Sequence, residues 1–461
     1  MKSRLQHRIV ARSVLASICL VAAPALWSCS SAQGEAVPPP PPRPVAGEQA
    51  FPGAVGYGAG SKGGRGGRVI AVDTLADSGP GSLRACVEQR GPRICVFRVS
   101  GVIRFTDKPP VVSHPYLTIA GQTAPGKGIT LAHAGGELGR TPLLLKGTHD
   151  VVIRHIRVRN DRIGGNRAAE DSFTIESSDN VILDHVSASW ARDELVNGYG
   201  DNDRITISNS IFAQGIPRHD KCALLASDPQ GPQRLSFVNN VCAHNGDRNP
   251  DLNFPPGSCV EIVNNIFYNA QSEFAEIWES FGGAPVALIG NSFIAGPNTI
   301  SSTVGIARNQ LGSTGPAKVY LWDNAFIGEF THMSPLLANA LVPAPPCPGT
   351  VAAAPAKAAY ETVLRSAGAL PRDEIDRKTI KDIRGRVGRI VRAPGEIPPI
   401  AAETPYPDAD GDGMNDAWEA SHGADPRRFD PWEDGDRNGL TNLDQFLDYR
   451  SRELVTARMQ S

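Results

Sequence analysis

From about residue 150 the chain repeats one pattern: a short run of alternating apolar and polar positions, often an asparagine, then a second apolar pair. VVIRHIRV at 151, VILDHVSA at 181, ITISNSIF at 205, LSFVNNVC at 235, VEIVNNIF at 260, VALIGNSF at 286 and VYLWDNAF at 319 begin 30, 24, 30, 25, 26 and 33 residues apart. Alternation with period two predicts β-strands, and the long, irregular spacing predicts that each strand belongs to one coil of a solenoid. The Leu/Asn consensus of leucine-rich repeats is absent, and so is the helical periodicity of tetratricopeptide or armadillo arrays. Asn240, Asn265, Asn291 and Asn324 recur at the same place in successive units. In a parallel β-helix such residues stack about 4.8 Å apart, so their amides can bond one another and the turn backbone. The expected fold is all-β, a right-handed parallel β-helix, with the variable insertions in turns where solenoids carry function.

Composition agrees with a turn-rich β protein: 41% hydrophobic and 20% charged, with 47 Gly, 38 Pro and only 4 Met. The net charge of −2 hides an asymmetry, because residues 401–461 carry −8 and the rest of the chain +6. A moderately basic body suits a polyanion without naming it. Lys2, Arg4, Arg8 and Arg12 precede the apolar run SVLASICLVAAPALW, which reads as an export signal over 1–29. Its end, Leu26-Trp27-Ser28-Cys29, is a candidate lipoprotein box, with ordinary cleavage nearby as the alternative because Trp27 is bulky. Residues 30–50 form a Pro-rich tether. A secreted or cell-envelope location follows, with membrane contact only through a lipid on Cys29, and a monomer is expected. Export puts Cys86, Cys95, Cys222, Cys242, Cys259 and Cys347 in an oxidising compartment. Their spacing suggests only the local pair Cys86 with Cys95. No nucleic-acid or nucleotide motif is present; KGGRGGR at 62 lacks the Gly-Lys-Ser/Thr of a phosphate loop.

Several segments carry a resemblance to a known family. FPGAVGYGAGSKGGRGGR at 51, TIAGQTAPGKGI at 118 and VILDH at 181 are similar to motifs of the parallel β-helix pectate lyases, with Ile182 where the family has tryptophan. AYETVLRSAGALPRDEID at 359 belongs to the same resemblance, which assigns 51–400 to one β-helix domain with its extension. It implies β-elimination across the C4–O4 bond of polygalacturonate, assisted by Ca²⁺. The C5 proton is a very weak acid, so a Lewis acid and a nearby cation must stabilise the enolate. Arg248-Asn249-Pro250 matches the start of the family's Arg-x-Pro-x-x-Arg motif, which makes Arg248 the expected base, its pKa depressed by burial and neighbouring positive charges. Asn253 stands where the second arginine would fall. Lys221 resembles the family lysine that binds substrate carboxylate, and Arg218 and His219 are candidates to meet the polyanion. For the catalytic Ca²⁺ the resemblance points to Asp171, Asp193 and Asn197, with Ala169 in place of a usual aspartate and Glu170 or Glu194 as substitutes under a shifted register. Asp184 and His185 are expected to tie coils together, and His155 and His244 to be polar core or turn residues.

The acidic segment 401–461 carries its own motif. DADGDGMNDAWE at 408 fits the calcium loop D-x-D-x-D-G-x5-E, with Asp408, Asp410, Asp412, the Met414 carbonyl, Asp416 and Glu419 as ligands. DGDRNGLTNLDQ at 434 offers Asp434, Asp436 and Asn438 for a second ion but ends in Gln445. This EF-hand-like tail is expected to fold independently of the β-helix. Two rival readings have their own residues. A glycoside hydrolase on the same fold would need facing aspartates, for which DNDR at 201 is the nearest stretch. A non-catalytic glycan-binding solenoid would explain Ala169, Asn197 and Asn253.

Overall fold

The computed structural model describes residues 49–165, 170–217, 219–312, 315 and 317–460. The export signal, Cys29, the tether to residue 48, Ala169 and Arg218 lie outside them. Among the described residues no helix is long and apolar enough to cross a membrane.

The repeated pattern folds as a right-handed parallel β-helix with three faces. Among the described residues the first face has ten strands, from Arg68–Val72 to Lys318–Trp322, and includes one strand from every repeat unit. The second has nine, from Gly101–Phe105 to Ala325–Ile327. The third consists of a five-stranded sheet ending at Lys221–Ser227 and a three-stranded sheet beginning at Glu273–Glu279. Isolated bridges Lys221↔Asp247, Leu224↔Asp251 and Asp251↔Glu276 join the two, so residues 247–251 replace a regular strand there. Apolar side chains from all three faces fill the interior, including Phe173, Phe212 and Phe237 in one row of ring contacts.

The asparagine ladder forms as the spacing predicts. The Asn240 N–H donates to Asn265 Oδ1 (2.8 Å), Asn265 N–H to Asn291 Oδ1 (2.9 Å) and Asn291 N–H to Asn324 Oδ1 (3.1 Å). The Asn265 and Asn291 amides also donate along the stack, each at 3.0 Å. At the preceding position Asn239, Asn264 and Asp323 take left-handed backbone, with φ of 56°, 56° and 47°. Asn and Asp tolerate that conformation better than other side chains. Cysteines pair as Cys86–Cys95, Cys222–Cys242 and Cys259–Cys347, the last two being contacts between chain segments that spacing could not select.

Among the described residues five α-helices complete the fold: α1 (Leu83–Val87), α2 (Ala356–Ser366), α3 (Glu374–Gly385), α4 (Asp416–His422) and α5 (Asn442–Gln460). The α2–α3 segment covers the outer side of the second face, packing Val363, Leu364, Ile380 and Ile383 on Ile211, Val241 and Ile266. Buried Arg159 fixes it by donating to Asp373 and Asp376. The acidic segment differs from the expectation of an independent tail, because the described residues form one compact unit. Met414, Trp418, Leu443, Phe446 and Leu447 pack against Ile94, Val96 and Ala120 on the first face. The strand Arg93–Phe97 is buried along its whole length. A strand apolar on both faces needs a cover on each, and the acidic segment supplies the outer one.

Candidate active site

The site is built on the third face, where neighbouring coils bring distant residues into register. Phe173 pairs with Val196 and Thr174 with Asn197; one rung on, Glu194 pairs with Lys221, and Lys221 with Asp247. Asp171, just ahead of its strand, is buried. Its Oδ1 accepts the Glu194 N–H (3.0 Å), and its Oδ2 accepts from Thr174 Oγ1 (2.7 Å) and the Asn197 amide (3.1 Å). Asp171, Asp193 and Glu194 offer carboxylate oxygens within 4.8 Å of one another. Burial pushes Asp171 up to about 6, with the Asp193 charge adding to the shift. Burial, together with Asp171 and Asp193, holds Glu194 well above the ordinary range. Asn197 Oδ1 is buried and has no hydrogen-bond partner.

Of the expected ligands, Asp171 and Asp193 therefore meet, and Glu194 joins them. Asn197 borders the group as a donor to Asp171. Glu170 is engaged elsewhere, with Arg192 (3.1 Å) and the Gly164 N–H. His219 contacts Asp193 through Nδ1 (2.9 Å).

Arg248 sits where residues 247–251 interrupt the sheet, with φ of 50°. From there its guanidinium reaches Glu194 Oε1 at 2.5 Å and lies 3.6 Å from Asp251 Oδ2. The expected neighbouring cations are not what surrounds it. Burial would lower its pKa, but the charges of Glu194 and Asp251 outweigh that, and Arg248 lies above its ordinary value. Lys221 is ion-paired with Asp247. Asn253 is buried and uses Oδ1 to accept from Ser280 N–H (3.3 Å) and Oγ (3.0 Å). Asp247 and Asp251 flank Arg248 in the sequence, so their charge was visible there. Their partners, Lys221 and Glu276, become neighbours only across rungs.

Other expected residues fall as follows. Asp184 accepts from Arg154, Ser208 and Asn209 and contacts His185, so the pair does tie coils together. His155 and His244 are buried in the core. In DNDR, Asp203 pairs with Arg234, Arg204 pairs with Asp179, and Asp201 accepts the Gln230 and Gly231 N–H groups. These turn contacts occupy the aspartates the hydrolase reading would require.

In the acidic segment, Asp408 accepts the Gly411, Asp412 and Gly413 N–H groups at 2.9–3.1 Å. Asp410 and Asp412 accept the Asp412 and Met414 N–H groups (3.2 and 3.0 Å). Asp408, Asp410 and Asp412 form one close carboxylate group, and Asp412, Glu419 and Asp430 another. Burial and neighbouring acids push Asp412 up to about 7 and Glu419 up to about 8. Asp416 instead accepts the Ala409 N–H (2.8 Å). In the second loop Asp434 and Asp436 receive backbone N–H groups, while the Asn438 and Gln445 amides donate to Asp436 (3.0 and 3.1 Å). Among the described residues no third acid joins them.

No family model matches the chain. A protein of Aspergillus flavus named as a probable pectate lyase C is 33% identical over 433 residues, covering 88% of this chain and 94% of that one. The probable pectate lyase C of Aspergillus fumigatus is 32% identical over 402 residues, covering 83% and 89%. Among solved structures, jun a 1, the major allergen from cedar pollen, has a TM-score of 0.54 at 19% identity, covering 69% of this chain and 93% of that one. The thermostable pectate lyase PL 47 has a TM-score of 0.52 at 16% identity, covering 71% and 99%. The solved structures share the fold alone at such identities, whereas the fungal relatives match along nearly their whole length. On that likeness the chain is an enzyme and belongs to the pectate lyase family.

Proposed function

We propose that this enzyme cleaves polygalacturonate by Ca²⁺-assisted β-elimination, with Arg248 as the base. The observation that carries this reading is the Arg248–Glu194 ion pair at the edge of the Asp171, Asp193 and Glu194 carboxylates. Base candidate and cation ligands share one carboxylate. The unpartnered Asn197 Oδ1 and the crowded acids suit a hard, oxygen-liganded dication. Asp171, Asp193 and Glu194 would hold it, with Asn197 beside them. Bound there, Ca²⁺ would supply Lewis-acid stabilisation of the enolate formed on the uronate.

Glu194 engaged as a ligand would be less free to hold Arg248 charged, so the burial that disfavours the guanidinium would meet less opposition. Neutral Arg248 takes the C5 proton, the C4–C5 double bond forms, and the C4–O4 bond breaks with O4 taking a proton from water. Lys221 exchanges Asp247 for a substrate carboxylate, and Arg218, outside the described residues, serves the same polyanion. We further propose that loop 408–419 binds Ca²⁺ in a structural role, with 434–445 as a weaker second candidate. A secreted monomer, with export directed by residues 1–29 and Cys29 as the candidate lipid anchor, completes the reading; the three disulfides support an oxidising location.

The test is purified protein on polygalacturonate, followed by the ultraviolet absorbance of an unsaturated product. Activity should vanish with chelator and return with Ca²⁺. Asp171→Asn combined with Asp193→Asn should raise the Ca²⁺ needed for half-maximal rate by at least about tenfold, as expected when two carboxylate charges are taken from the ion's ligands. New reducing ends without unsaturation would mean hydrolysis, and an unchanged Ca²⁺ dependence would move the metal elsewhere.

A further inference from the structure

The twelve-residue pattern at 408–419 does not contain Asp430, yet the fold brings that carboxylate within 4.8 Å of Asp412 and Glu419. All three residues are buried, at 0%, 0% and 3% exposure. Both Glu419 carboxylate oxygens and Asp412 Oδ2 are buried without a hydrogen-bond partner. Carboxylates enclosed in that way are strongly unfavourable unless a cation or donor meets them. Asp430 is aimed by the Asn442 amide on Oδ1 (3.2 Å) and by the Asp425 N–H (3.3 Å) and Arg428 (2.9 Å) on Oδ2. Asp416, which the linear pattern nominates, is only half-buried and already holds the Ala409 N–H.

The same residues carry the contact with the β-helix. Met414 and Trp418 alternate with the carboxylates along the chain, and their side chains sit on Ile94 and Val96. At Gly413, with φ of 89°, an added Cβ would lie 3.0 Å from both Val69 and Val96, so the loop backbone itself rests on the first coils. Asn442, which aims Asp430, begins α5, and α5 adds Leu443, Phe446 and Leu447 to the plug.

We propose that Asp412, Glu419 and Asp430 bind a Ca²⁺ ion that latches the acidic segment onto the first coils. This rests on the reading of loop 408–419 as a calcium loop, and extends it by a ligand outside the loop and by a mechanical role. An all-carboxylate oxygen set selects a hard cation, and the flexible loop with several acids suits the higher coordination number of Ca²⁺. The ion joins the loop, the start of α4 and the lead into α5, which are the parts that must be held together to cover Ile94 and Val96.

The experiment uses full-length protein, stripped with chelator and titrated with Ca²⁺, read by hydrogen exchange of individual peptides and by thermal melting. In the wild type, Ca²⁺ should slow exchange in 408–447 and in the strands Arg68–Val72 and Arg93–Phe97 over the same concentration range. Glu419→Gln and Asp430→Asn should each raise that concentration at least tenfold, and Asp416→Asn should leave it within threefold. In chelator Glu419→Gln should melt at or above the wild-type temperature, since its carboxylate has no donor to lose, whereas Asp430→Asn gives up its ion pair with Arg428 and should melt slightly lower. A raised Ca²⁺ requirement in Asp430→Asn that Arg428→Ala reproduces in full would mark Asp430 as structural only and overturn the proposal. Wild-type Ca²⁺ response in Asp430→Asn with loss in Glu419→Gln would leave the loop reading standing and remove Asp430. Protection confined to 408–447 would remove the latch. No Ca²⁺ protection there at all would sink the loop reading as well.

Discussion

Arg248, the proposed base, has one of the highest ordinary pKa values of any side chain and lies in a bed of carboxylates. Glu194 and Asp251 hold it in the charged form, so the neutral fraction is small and must be generated by taking Glu194 away. Arg248→Ala should therefore lower kcat by at least about 100-fold, the usual size of a lost general base, with little change in melting temperature. Arg248→Lys should not restore it, because an ammonium cannot reproduce the planar contact with Glu194. In the wild type the rate should keep rising through the alkaline range, since Asp251 still favours the charged guanidinium after Glu194 has been taken away. Steady-state kinetics against pH check both points. A variant within tenfold of wild type would reject Arg248 as the base.

At the scale of elements, the β-helix is held in register by its turns as much as by its strands. Asn265 is the middle of the ladder: its Oδ1 receives the Asn240 N–H, and its amide donates to Phe237 O and to Asn291. Asn265→Ala leaves a buried N–H and a buried carbonyl unpaired, each costing about 1–3 kcal/mol. Urea denaturation should register a loss of roughly 2–4 kcal/mol, with activity per folded molecule retained because the ladder lies away from Arg248. The period-two pattern and recurring asparagines announced this element, since both are local. The break at 247–251 was not announced. It arises because the segment bridges Lys221 on one side and Glu276 on the other, a relation that exists only after the coils stack.

Across the whole molecule the acidic segment is part of the fold. A chain ending at residue 400 would uncover Ile94 and Val96, at a cost on the order of 1.5–3 kcal/mol for each large apolar side chain, and would lose the Arg98–Asp408 and Arg65–Asp444 ion pairs. It should melt several degrees lower or aggregate, as calorimetry and light scattering would register; wild-type melting would mean that the plug contributes nothing. By itself the sequence determined the solenoid, because period-two alternation and a recurring asparagine are readable one coil at a time. It also nominated Arg248, through the resemblance its motif carries, and the loop 408–419, because both lie in contiguous stretches. Only tertiary structure decided the partners. Glu194 joins Asp171, Asp430 joins Asp412 and Glu419, carboxylates surround Arg248, and the acidic segment covers Ile94. Each of these contacts joins residues far apart in the chain, and no local pattern of charge or hydrophobicity encodes which distant coil a side chain will face.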